Sequence, residues 1–179
     1  KHRRRIRHPA TIFSEEDIDR ARESSVNESW GRRSLQRLLK RVEAAGSVTR
    51  AWAKRYVPAT TNGSLGFTMC PKCEYAPMHG AYDWFPDDPE HMRCKGCGTR
   101  FPNDEYPEDI VFQSRFDPSQ EITFYGGRHW SAYGYDAIYS TFSGQVRLHQ
   151  CRYAANTAED LALAYALTGR KSYARGAVN

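Results

Sequence analysis

No stretch of about 18 apolar residues occurs anywhere in this chain, so no segment is long and apolar enough to form a membrane-spanning helix. No apolar signal-peptide core is visible either. The first residue is Lys1 and not Met, and the expectation is a processed or excised piece, whose missing leader says little about where it is made. Catalytic triads, phosphate-binding glycine loops and His-Glu-x-x-His helices are absent. No internal repeat recurs at a fixed period, and no low-complexity segment is present beyond a basic start.

What is present suffices for a folded chain. With 179 residues, 40% hydrophobic and 13% aromatic, the sequence can build a core, which argues against wholesale disorder. The net charge of +5 is uneven. Residues 1–60 hold 15 Lys and Arg against 7 Asp and Glu, while residues 61–179 hold 11 against 14. The basic excess opens with Lys1-His2-Arg3-Arg4-Arg5-Ile6-Arg7, and a basic surface favours anionic partners. A solvated arm with charged helix faces explains the same run equally well.

Periodicity predicts three parts: a basic arm with helices over 1–60, an insertion over 67–110, and a lead-in with helices over 111–179. Ser14-Glu15-Glu16-Asp17 reads as a helix start, with a capping hydroxyl and acids at the positive end of the helix dipole. Leu35, Leu38, Leu39 and Val42 form one apolar stripe on a basic helix ended by Gly46. Pro58 to Gly66 is a turn-rich linker. Ile122 to Tyr125 reads as a short strand or extended lead-in, and the pattern turns helical from about Asp136. Asn156 or Thr157 is expected to cap a helix lined by Leu161, Ala164, Tyr165 and Leu167 and closed by Gly169, with another starting at Lys171.

The chemistry concentrates in cysteine. Cys70-Pro71-Lys72-Cys73 and Cys94-Lys95-Gly96-Cys97 are separated by 20 residues, the spacing of a zinc ribbon. Two residues between thiolates let a tight turn aim both sulfurs at one metal, and four cysteines close the tetrahedron. No position is left for water or substrate, so the expected zinc is structural. Two disulfides are the alternative. His79 and His91 are candidate substitute ligands, and Cys151 reads as a buried free thiol. Residues 66–110 hold four basic and nine acidic side chains, and this balance argues against a phosphate-gripping ribbon.

Several phrases resemble a known family. His8-Pro9-Ala10-Thr11-Ile12-Phe13-Ser14 resembles the phrase that precedes the first helix in heparinase II/III-like polysaccharide lyases. Asp160 to Ala174, with Ala164-Tyr165-Ala166-Leu167-Thr168-Gly169, is similar to an early helix pair of that family's incomplete α/α toroid. Residues 67–107 look like the acidic, aromatic loop that some members carry between two Cys-x2-Cys pairs. The resemblance implies a mainly α fold: the start of an incomplete α/α toroid with a small zinc-ribbon β insertion. It also implies β-elimination on a uronate-containing acidic polysaccharide, a periplasmic or secreted location, and toroid and β-sandwich partners in the rest of the parent chain. The family's catalytic Asn or His and Tyr map beyond Asn179, so no catalytic residue is assigned.

Arg128, His129, Trp130, Tyr133 and Tyr135 are the candidate sugar contacts, through aromatic stacking and pairing of Arg128 with a uronate or sulfate. Packing between the ribbon and the first toroid helices would account for the same aromatics. The competing functional reading is a zinc-ribbon nucleic-acid-binding module with a basic amino-terminal arm.

Overall fold

The computed structural model describes residues 13–60, 68–75, 80–132 and 134–178. Helices and small antiparallel sheets share these residues, so the class is mixed and not mainly α. They divide into two compact units, one running to Trp52 and resuming at Ala155, the other spanning Ala53–Ala154.

The first unit is helical. Helix α1 (Glu15–Asn27) starts as the sequence predicts. The Asp17 N–H donates to Ser14 Oγ, and the Ser14 N–H donates to the Asp17 carboxylate, which closes a capping box. The Ser14 hydroxyl, which donates to Asp17 Oδ2 at 2.6 Å, and the Ser14 N–H hold the Asp17 carboxyl below the usual carboxylate range. Helix α2 (Ser29–Ala45) follows after the single residue Glu28 and ends at Gly46, whose φ of 69° is left-handed. The turn between them is tight enough to require a glycine. A Cβ on Gly31 would lie 2.1 Å from the Ser24 carbonyl oxygen.

Leu38 and Val42 of α2 are buried with Leu161 and Ala164 of α4 (Phe142–Thr168), flanked by Leu35, Leu39 and Leu167. Tyr173 and Ala177 of α5 (Lys171–Ala177) complete this cluster. Arg41 grips Asp160 through both carboxylate oxygens at 2.7 Å.

The second unit carries the sheets. Strands β1 (Tyr82–Trp84), β2 (Met92–Cys94) and β3 (Arg100–Phe101) form one antiparallel sheet in that order, pairing Tyr82 with Cys94 and Met92 with Phe101. Strands β4 (Ile110–Gln113) and β5 (Glu121–Phe124) form one hairpin, and β6 (Trp130–Ala132) and β7 (Tyr135–Ile138) another. Helix α3 (Arg50–Tyr56) leads into this unit, where Tyr56 is buried.

Three expectations are corrected here. The chain after Asp136 does not turn helical at once, because β7 pairs back onto β6 through a turn at Gly134, φ 82°. Helix α4 begins at Phe142 and runs unbroken past Asn156 and Thr157, which sit in its interior and cap nothing. Its true start is capped twice: locally, where Thr141 Oγ1 accepts from the Gly144 N–H, and from a distance, where Glu108 accepts from the Ser143 N–H at 3.1 Å. A carboxylate there also faces the positive end of the helix dipole. Cys151 is exposed on α4 and not buried.

Two consequences are testable. Gly31→Ala forces a methyl into a backbone carbonyl, and should destabilise the chain by about 1–3 kcal/mol in denaturant unfolding. His149 lies flat against Trp84, with ring centroids 6.2 Å apart, and burial together with nearby Arg152 and Lys95 lowers its pKa. Above pH ~6.5 it is neutral in both folded and unfolded chains. As pH falls below that value the unfolded chain takes the proton first, so stability should drop. His149→Gln should flatten this part of the stability–pH curve, and an unchanged slope would refute the assignment.

Candidate metal centre

Four thiols converge at one end of the β1–β3 sheet. The sulfurs of Cys70, Cys73, Cys94 and Cys97 all lie within 4.8 Å of one another. Cys70 is 3.7 Å from Cys97, and Cys73 is 3.6 Å from Cys94. These separations are far beyond the ~2.05 Å of a disulfide, and all four are free thiols. They match a tetrahedron instead, whose sulfurs at about 2.3 Å from a central ion stand about 3.8 Å apart. The four residues could therefore hold a metal, and the donor set of four soft thiolates suits one.

Two matching turns build the cluster. In the first, the Glu74 N–H donates to the Cys70 carbonyl at 2.8 Å, and the Cys70 N–H to the Tyr75 carbonyl at 3.3 Å. In the second, the Gly98 N–H donates to the Cys94 carbonyl at 2.8 Å, and the Cys94 N–H to the Thr99 carbonyl at 2.9 Å. Each turn needs a left-handed residue just after its second cysteine. Gly98 fills that place at φ 72°, but Glu74 adopts φ 59° despite its Cβ, at a cost of about 1–2 kcal/mol. The Glu74 carboxylate pairs with Arg128.

The environment of the sulfurs is uneven. Cys70 and Cys94 are buried, whereas Cys73 and Cys97 are exposed. Burial pushes the Cys70 and Cys94 thiols up from their ordinary range. The Thr99 hydroxyl, 3.2 Å from Cys97 Sγ, and the Thr99 N–H hold the Cys97 thiol down at about 6. A further N–H, from Gly96, points at Cys94 Sγ at 3.3 Å. Gly96 has no room for a side chain, since a Cβ there would stand 3.0 Å from Cys73 Sγ.

The cluster belongs to a larger core. Cys70 and Cys94 are buried with Tyr82, Met92, Phe101, Phe142 and Val146. Phe101 stacks on Phe142 of α4 with centroids 4.4 Å apart, and Ser140 Oγ donates to the Met69 carbonyl and accepts from the Met69 N–H. Burial raises the Tyr82 hydroxyl's pKa, and that hydroxyl makes no hydrogen bond to the described residues.

Of the remaining sequence candidates, His91 is not a ligand in this arrangement. Its Nδ1 lies 2.9 Å from Asp88, in a group with Arg100. His79 and Tyr133 lie outside the described residues, as do the basic start and most of the Pro58–Gly66 linker. Arg128 and His129 are exposed just before β6, Arg128 in its ion pair and the His129 ring 5.3 Å from that of Tyr139. Trp130 is half-buried, with an indole N–H that finds no acceptor among the described residues, while Tyr135 is 68% exposed. Glu74, Thr99 and Glu108 escaped the sequence reading. Only Glu74 left a trace, as the place matching Gly98.

Gly96→Ala should displace the Cys73 sulfur and weaken metal affinity by about 10- to 100-fold, measured by competition with a chromogenic chelator. Unchanged affinity would show that the second turn tolerates a Cβ and that the packing described is not limiting. No family model, no curated protein and no solved structure matches the chain.

Proposed function

We propose that Cys70, Cys73, Cys94 and Cys97 bind one zinc ion as a structural staple, and that the chain is the amino-terminal segment of a polysaccharide lyase acting on a uronate-containing glycan. Four cysteine ligands fill the tetrahedron, so the ion has no open position for chemistry. Bound zinc would supply rigidity and neutralise the thiolates, making metal binding part of the folding free energy. The chain's own groups prepare the place: two turns aim the sulfurs, and the Gly96 N–H stabilises one thiolate.

The observation that supports the lyase reading is where the family-like phrases fall. Ser14 sits at the cap of α1, and the four sulfurs follow. Then Ala164-Tyr165-Ala166-Leu167-Thr168-Gly169 ends α4 at a left-handed glycine just before α5. On this reading α4 and α5 begin the toroid. In β-elimination a base removes the C5 proton of the uronate, the C4–oxygen bond breaks, and an acid protonates the departing oxygen. Residues beyond this segment carry out those steps. Arg128, His129, Trp130 and Tyr135 contribute sugar contacts, with Arg128 leaving Glu74 to pair with a uronate carboxylate.

Four measurements test this. Elemental analysis should find about one zinc per chain, and Cys70→Ser should unfold residues 68–110. Stoichiometric iron, or thiols that bind no metal, would overturn the zinc assignment. The 179-residue chain alone should produce no ultraviolet-absorbing unsaturated uronate from acidic polysaccharides, whereas the longer parent should. Tyr135→Ala should weaken glycan binding about fivefold, or ~1 kcal/mol. A parent without lyase activity on any uronate polymer would defeat the reading.

A further inference from the structure

The sequence of α2 loads one helix face with unrelieved positive charge. Arg33 and Arg37 are four residues apart and Lys40 is three further on, so like charges stand side by side along the helix. Arg32 closes the first turn, where the helix dipole opposes a positive charge. All four are exposed. Among the described residues, the only ion pair made by a basic residue of α2 is that of Arg41 with Asp160. Arg32 reaches the Val26 carbonyl and Arg37 the Arg33 carbonyl, so both meet uncharged acceptors.

At about 100° per residue, Trp30, Arg33, Arg37 and Lys40 fall within an arc of about 80°. Leu38 and Val42 occupy the buried side. Trp30, at the head of this row, is 56% exposed. A row of this kind weakens its own helix while it stands free, and an anionic chain laid along it would relieve the repulsion.

We propose that this face of α2 is a binding surface for an acidic polysaccharide, separate from the Arg128–Tyr135 segment. The guanidinium groups of Arg33 and Arg37 suit carboxylate or sulfate through paired N–H donors, and Lys40 adds a point charge. The Trp30 indole offers an apolar plane for a sugar ring. The choice of polysaccharide over other polyanions rests on the lyase reading, whereas the charge and exposure of the face do not.

The test uses the 179-residue chain, with heparin and alginate as probes and single-stranded RNA and duplex DNA of similar length as competitors. Arg33→Gln, Arg37→Gln and Lys40→Gln combined should lower affinity for both glycans at least about tenfold, and should reduce the slope of log affinity against log salt by about one for each cation removed. Because this variant removes like-charge repulsion, it should stay folded with equal or higher helicity. Trp30→Ala should weaken glycan binding about fivefold without changing the salt slope. Unchanged glycan affinity in the triple variant overturns the proposal, as does a wild-type chain that binds neither glycan. Tighter binding of RNA or DNA than of either glycan at the same salt also overturns it. If Tyr135→Ala weakens glycan binding and the triple variant does not, the α2 surface fails while the sugar-binding reading stands. If the triple variant loses glycan binding but the parent shows no lyase activity, the reverse holds.

Discussion

A sheet whose strands are two or three residues long cannot hold its own register, because so few ladder hydrogen bonds cannot offset the entropy of ordering the loops between them. In the second unit that register depends on the gathering of four sulfurs. Cys94 is at once the last residue of β2, the first of a tight turn and a member of the buried core, and Cys70 joins it from a segment with no strand of its own. The ring stack of Phe101 on Phe142 extends that order into the start of α4. The Ser140–Met69 pair of hydrogen bonds and the Glu108 cap act at the same junction. The cluster therefore anchors the carboxy-terminal end of β2 and the chain that feeds α4, and is more than an ornament on a loop.

The helical unit works by different means. Its core is a narrow band of Leu, Val and Ala, so shape decides more than chemistry does, and Gly31 is where shape is least forgiving. Charge is distributed unequally there. Acids sit in the first turn of α1, where the dipole welcomes them, and pair with Arg20, while α2 sets Arg33, Arg37 and Lys40 beside one another with no acid between them. Local rules obeyed in one helix and broken in its neighbour point to a demand other than stability.

Legibility in the sequence followed the range of the interactions. The α1 cap, the stripe of Leu35, Leu38, Leu39 and Val42, the stop at Gly46 and the start at Lys171 are set within a few residues, and each could be read from the chain. The cysteine spacing was readable for the same reason, since each turn is closed by bonds between residues four or five apart. What stayed hidden is non-local. Glu108 reinforces the start of α4 from 35 residues away, beside the local Thr141 cap that the aromatic stretch before it obscured, and Asn156 and Thr157 looked like caps only because their side chains are of the right type. The β6–β7 hairpin was masked by its aromatic, irregular sequence. Cys151 belongs to a helix whose exposed face no short periodicity defined.

The four sulfurs differ in how readily solvent reaches them, and the difference follows the turns. Each Cys-x-x-Cys contributes one inner sulfur, Cys70 or Cys94, and one outer sulfur, Cys73 or Cys97. An attacking chelator or a competing thiol therefore meets one ligand from each turn before it meets either inner one. Exchange of a bound ion would begin by peeling away the outer pair, with the ion still tethered to the inner pair inside the core. Such an ion would leave slowly even at moderate affinity, because recapture by the outer sulfurs would compete with every partial release. Residence time would then be set by the backbone that holds Cys73 and Cys97 close, and less by the strength of any single metal–sulfur bond.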